Sequence, residues 1–178
     1  MATDNKESWI KAGYEIFALA GQTGLKIEPL ARAVGKSKSS FYHHFADIEL
    51  FVDFLLKHHI QQSYIIADKE QKAKNIEPEL INILIEHRTD LLFNRQLRIH
   101  QNVKIFTKTL IQSDKIVGDA FKMAWVKDIN LQLTPRQLEG VFTLALENFF
   151  LQINADNLTY KWLSEYFNNL KRIISNFI

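Results

Sequence analysis

Apolar residues return every three or four positions through almost the whole chain, the spacing of helices that each bury one face. Ile10, Tyr14 and Phe17 form such a stripe in a helix expected from about Lys6 to Ala20, which Gly21 and Gly24 end. A short second helix starts near Glu28, with Pro29 in the first turn, where its missing N–H costs nothing. It turns Leu30, Ala31 and Val34 inward and stops at Gly35, a residue able to adopt a left-handed C-cap. Ser37 caps a third short helix through about Phe45, with Phe41 and Phe45 four residues apart. Asp47 is the expected N-cap of a long fourth helix carrying Phe51, Leu55 and either His58 or His59 down one side.

The polar run from Asp68 to Asn75 is expected to be a solvated helix end and linker. Five further helices are expected at about 78–93, 95–111, 114–130, 135–153 and 157–177, with polar breaks such as Gln112-Ser113 and Asn154-Ala155-Asp156-Asn157. The expected fold is therefore all-α, with about nine helices. A three-helix domain over 1–47 leads through a connecting helix and linker over 48–74 into a helical domain over 75–178. Six Gly and three Pro are too few for the frequent turns of a β-sandwich or barrel.

Composition narrows the classes. At 178 residues and 47% hydrophobic, the chain can bury a sizeable core. It contains no Cys, which excludes disulfide scaffolds, thiolate catalysis and Cys-based zinc sites. No apolar run exceeds the five residues Ile16 to Ala20, too short to cross a bilayer, so a soluble cytoplasmic protein is expected. No cofactor or metal is expected.

The informative segment is Glu28 to Phe45. Two short helices joined by a tight glycine-containing turn make a helix-turn-helix, whose second helix lies in the DNA major groove. With Phe41 and Phe45 pointing inward, Lys38, Ser39, Ser40, Tyr42 and His43 face outward. Lysine neutralises phosphate, hydroxyls bond phosphate or base edges, and the helix N-terminus attracts anions. The candidate DNA-binding set is Lys26, Arg32, Lys36, Ser37, Lys38, Ser39, Ser40, Tyr42 and His43.

The order Leu30-Ala31-x-x-x-Gly35-x-Ser37-Lys38-x-Ser40-Phe41-Tyr42-His43-His44-Phe45 resembles the DNA-binding signature of TetR/AcrR-type transcriptional regulators. The helix ending in Phe17, the glycines at 21 and 24 and the long helix after Phe45 match as well, so the resemblance covers roughly residues 7–60. It implies a homodimeric, all-helical repressor whose C-terminal domain binds a small ligand that releases it from an inverted-repeat operator. The chain departs from the family at three positions. Lys36 replaces a small apolar residue, Ser39 a common glycine, and Ile48 stands where a lysine usually opens the fourth helix.

Charge tempers the picture. Residues 1–62 carry seven Lys/Arg and seven Asp/Glu, while the stretch 26–44 holds Lys26, Arg32, Lys36 and Lys38 against Glu28 alone. A dimer would offer eight such cations, and log K against log salt should fall no more steeply than roughly −7.

In the C-terminal region, the helix at 135–153 is apolar on more than one face and needs more than one cover. A four-helix interface between two copies would bury Leu138, Val141, Leu144, Leu151, Leu163, Phe167, Leu170, Ile174 and Phe177. Gly140 either eases a close crossing or is a merely tolerated helical glycine. Polar groups among apolar stripes suggest a ligand pocket at His87, His100, Phe106, Trp125 and Asn148, for an apolar or aromatic effector. The competing reading of these residues is plain core. Two other functions are considered: a DNA-binding regulator governed by a protein partner or by no effector, and a helical enzyme. The enzyme is disfavoured because no phosphate-cradling loop, nucleophile elbow or HExxH motif occurs, and neither His58-His59 nor His43-His44 can aim both rings from one helix face.

Overall fold

The computed structural model describes residues 2–129 and 133–176. Among these residues there are nine α-helices and no strand: α1 (Ala2–Gly24), α2 (Ile27–Val34), α3 (Lys38–His44), α4 (Ile48–Lys72), α5 (Ile81–Glu86), α6 (Arg88–Ile99), α7 (Lys104–Ile129), α8 (Pro135–Gln152) and α9 (Tyr160–Asn176). A five-residue π-helical turn, Ile76–Leu80, precedes α5. None of the described helices is long and apolar enough to cross a membrane.

Several helix ends fall where local chemistry puts them. The Asp47 side chain accepts from the Leu50 N–H at 2.7 Å and opens α4. Thr134 and Gln137 form a reciprocal capping box at the start of α8, with Pro135 in its first turn. Elsewhere the helices differ from expectation. α1 continues past Ala20 to Gly24 through a kink at Gly21, whose φ of 65° suits glycine. A Cβ there would lie 2.8 Å from Gln96 Oε1, the far end of a flexible side chain that can give way, so the positive φ rather than the close approach selects glycine. The expected helix over 78–93 is interrupted at His87 (φ −98°, ψ 24°), and α6 begins at Arg88. Conversely, Gln112-Ser113 breaks nothing, because α7 runs unbroken through it. The Ser113 hydroxyl donates back to the Leu110 carbonyl at 3.0 Å and accepts from Asn94 Nδ2 at 3.2 Å, so a polar residue is accommodated inside the helix.

The helices pack into two compact units. The first comprises residues 1–62 and 89–113. Its core is aromatic, with Trp9, Phe17, Phe41, Phe51, Phe93 and Phe106 all buried. Edge-to-face contacts join Trp9 to Phe41 (5.5 Å between centroids), Phe41 to Phe51 (5.4 Å) and Phe45 to Phe51 (4.7 Å), the geometry ring quadrupoles favour. Within this core Tyr14 of α1 carries a polar link. Its hydroxyl donates to Asp90 Oδ1 of α6 at 2.7 Å and lies 2.7 Å from His59 Nδ1 of α4. Burial, reinforced by Asp90, raises the Tyr14 pKa well above the ordinary phenol value, so the group keeps its proton. That proton is committed to Asp90, so neutral His59 must donate from Nδ1 to the phenol oxygen. Phe93 stacks on both rings, at 4.3 Å from Tyr14 and 4.8 Å from His59.

The second unit comprises residues 63–88 and 114–178. Phe142, Phe149, Phe167 and Trp125 line its interior, and Phe121 meets both Phe142 and Phe167. The Tyr166 hydroxyl donates to the Ala145 carbonyl at 2.9 Å, tying α9 to α8, and Ser164 donates to Glu77 at 3.0 Å.

Removing the Tyr14 hydroxyl in Tyr14→Phe takes one hydrogen bond each from a buried carboxylate and a buried imidazole, and should cost about 1–3 kcal/mol in urea unfolding at pH 7. Burial also pushes the His59 imidazole down to about 4, against the opposing pull of Asp90. A base depressed in the folded state contributes stability above its unfolded pKa. That contribution is lost as pH falls from about 6.5 towards 4. Unfolding free energy measured across that window should decline, and His59→Gln should flatten the decline.

Candidate nucleic-acid interface

The helix-turn-helix begins at Lys26, whose extended backbone precedes α2. Leu30 and Ala31 are buried on its inner face. Gly35 closes α2 in the left-handed region (φ 67°, ψ 34°), and its N–H and the Lys36 N–H return to carbonyls of the last turn. No atom lies within 4 Å of where a Gly35 Cβ would stand, so the conformation alone selects glycine here. Ser37 then caps α3, its Oγ accepting from the Ser40 N–H at 3.3 Å and lying 2.8 Å from Ser39 Oγ.

Adjacent positions on α3 point opposite ways. Phe41 is 0% exposed and seals the first unit, whereas Tyr42 is 57% exposed. Lys26, Arg32, Lys36, Ser37, Lys38, Ser39 and His43 are exposed as well, and Ser40 is half-buried. Eight of the nine candidates thus sit on α2, the turn or α3, with Lys26 directly ahead of α2, and eight of the nine are exposed. Their charge is partly spoken for. Lys38 Nζ donates to Glu28 Oε2 at 3.1 Å, and Arg32 approaches the same carboxylate at 3.9 Å. The hydrogen bond and charge of Lys38 lower the Glu28 pKa, and Arg32 adds to the effect. Lys36 enters no ion pair given among the described residues, and it is exposed directly after Gly35.

The five pocket candidates divide between the two units. His100 and Phe106 belong to the first unit, where Phe106 is core against Phe17 and His100 lies beside Gly21. His87, Trp125 and Asn148 belong to the second. There His87 Nε2 lies 2.9 Å from Lys69 Nζ, and Trp125 packs near Phe142 with its buried indole N–H lacking a partner. Asn148 is exposed between α8 and α9, on the rim of two open grooves that take in none of the other four. Their apolar stripes coincide in sequence period, but the helices that carry them turn to different neighbours.

The expected interface residues also divide. Leu163, Phe167 and Ile174 are buried in the chain's own core. The reason is that α9 spends its strongest stripe on the second unit's interior. Leu138, Val141 and Leu170 are half-buried, while Leu144 and Leu151 stand 74% and 78% exposed, with Ile173 also open. Val141, Leu144, Leu170 and Ile173 line the larger groove, of about 590 Å³. Phe177 lies outside the described residues.

Two functional elements escaped the sequence reading. Asp90 shares a helix face with Phe93 and Leu97, and that spacing marks it as an inward carboxylate. Glu70 follows Ile66 and Ala67 at helical spacing, a signal hidden by the surrounding polar run.

The sequence matches no protein-family model and no curated protein. The fold is nevertheless shared with solved structures. A protein from Rhodococcus sp. described as a TetR-family transcriptional regulator is 16% identical and superposes with a TM-score of 0.56, over 97% of both chains. A second so described, from Mesorhizobium loti MAFF303099, is 14% identical with a TM-score of 0.57, over 97% of this chain and 98% of that one. At these identities the likeness is one of fold, and the all-helical arrangement of this chain is that of TetR-family regulators.

The opposite orientations of two neighbouring aromatics give a direct check on the site. Phe41→Ala should destabilise the protein by about 3–5 kcal/mol in chemical denaturation, whereas Tyr42→Ala should leave the unfolding midpoint within the small range of ordinary surface substitutions.

Proposed function

We propose that the protein is a homodimeric, sequence-specific DNA-binding regulator of transcription, a repressor released from an inverted-repeat operator by a small-molecule effector bound in the second unit. The observation that carries the reading is the exposed face of α3. A seven-residue helix is fixed from behind by Phe41 and Phe45, and presents Lys38, Ser39, Tyr42 and His43 outward. Fixed backing with an open polar front is what base readout in a major groove needs, because register errors of an ångström lose the hydrogen bonds. The fold shared with TetR-family regulators supports the same reading.

The electrostatics refine the mechanism. Lys38 reaches a phosphate only by leaving Glu28, so the pair holds the side chain extended in the absence of DNA and is exchanged on binding. Lys26 and Lys36 supply the more available charge. With so few cations per half-site, contacts to base edges carry much of the selectivity. Dimerisation supplies the second half-site, and the open stripe of Val141, Leu144, Leu151, Leu170 and Ile173 is the surface we assign to it.

Selection of bound fragments from a random duplex library at two salt concentrations should return one inverted repeat. A pool without consensus, lost at moderate salt, would reject the reading. Tyr42→Ala should weaken binding to the selected repeat at least tenfold. Glu28→Gln should tighten it and steepen the salt dependence by about one unit of slope per half-site, as Lys38 becomes available to phosphate. Leu144→Glu should give folded monomers by light scattering, and a stable dimer would remove α8 from the interface.

A further inference from the structure

Beside the last residue of the recognition element the first unit holds a cation on aromatic rings instead of on an acid. Lys6 of α1 is half-buried, and its ammonium lies 3.7 Å from the centroid of the Phe54 ring of α4. It stands 5.5 Å from the ring of Phe45, the residue that closes α3. A second ammonium, Lys57 Nζ, lies 5.4 Å from the same Phe54 ring. No described ion pair involves either lysine, whereas Lys38 at the other end of α3 donates to Glu28 at 3.1 Å.

Packing explains why the chain delivers a cation there. Lys6 precedes Trp9 by three residues and shares its face of α1. Trp9 is buried and meets Phe41 of α3 edge-to-face at 5.5 Å. A turn further on, α1 runs so close to α4 that a Cβ on Gly13 would lie 2.3 Å from the Phe51 ring. The later part of α1 turns to α6 and α7, where Phe17 meets Phe93 and Phe106. Lys6 therefore belongs to the end of α1 that lies against α3. An aromatic face holds an ammonium through its quadrupole and leaves the charge uncancelled, as a carboxylate would not. Two ammonium groups at one ring raise the local potential further, and an anion relieves it.

We propose that Lys6 is a backbone-phosphate contact, gripping the operator at the end of α3 opposite Lys38. The inference rests on the DNA-binding reading above and adds a contact from α1, outside the helix-turn-helix. The lengths agree: seven helical residues span about 10 Å, and the major groove of B-DNA is about 12 Å wide. Cations at the two ends of α3 are thus spaced to meet the phosphates of both groove walls. The partner is duplex DNA because the ammonium borders Phe45 and so continues the face assigned to the groove. Phosphate carries no base information, so Lys6 adds affinity and register without choosing sequence.

The full chain is titrated with the duplex selected as its operator over a series of salt concentrations. Lys6→Met, whose flexible thioether side chain still packs on the Phe54 ring, should melt with the parent and weaken binding at least tenfold. It should also lower the slope of log K against log salt by about two units, one for each half-site. Single base-pair changes in the repeat should cost variant and parent the same factor. Lys6→Arg should restore both affinity and slope. Methylphosphonates, which replace one phosphate charge at a time, should reveal a position in each half-site that weakens the parent and leaves Lys6→Met indifferent. Parent-like affinity and slope for Lys6→Met overturn the inference and leave the regulator reading intact. So does the absence of any such phosphate, or a loss that Lys6→Arg does not restore. If the parent itself selects no repeat, the regulator reading fails and this contact falls with it.

Discussion

The phenol of Tyr14 sets the terms for the first unit. Asp90 and His59 are polar groups placed among stacked aromatic rings, and each would be expensive there alone. One hydroxyl answers both, donating to the carboxylate and accepting from the imidazole. Because the three residues come from α1, α6 and α4, the bonds form only when all three helices hold one mutual register. Apolar packing tolerates small slips, whereas a 2.7 Å hydrogen bond does not. The Phe93 ring, stacked on both Tyr14 and His59, excludes the water that would otherwise relax the demand.

The exposed face of α3 rests on the same core. α3 is only seven residues long, far below the length at which an isolated helix persists in water. Its stability comes from Phe41 and Phe45 entering the core that Trp9 and Phe51 complete, and from Ser37 closing its N-terminus. The outward residues contribute almost nothing to holding the helix in place. They are therefore available for intermolecular chemistry, and one of them, Lys38, donates to the exposed Glu28 carboxylate.

The second unit spends its residues differently. Its aromatic interior consumes much of the apolar face of α9, which leaves α8 with leucines facing solvent at 144 and 151. A surface of that kind is stable in water only at low concentration or under cover. The interior also holds Glu70, a buried acid whose side-chain oxygens have no hydrogen-bond partner.

Much of this architecture could be read from residue order. The periods of three and four, the Gly35 turn, the Ser37 and Asp47 caps and the inward Phe41 and Phe45 are local features, set by backbone conformation and by side chains a few residues away. Residue order left His58 and His59 both open for the inner face of α4, and packing buries His59. Other features depended on residues distant in the chain. Ser113 looks like a helix break until Asn94 and the Leu110 carbonyl satisfy its hydroxyl. His87, Trp125 and Asn148 share a period with apolar neighbours yet face three different surroundings. Leu163, Phe167 and Ile174 could equally have covered a partner or the chain's own core, since a stripe records that a face must be buried but not against what. Asp90 and Glu70 show the same ambiguity from the polar side. Whether a buried carboxylate is answered depends on which donors other helices bring within 3 Å, and that is a property of packing rather than of order along the chain.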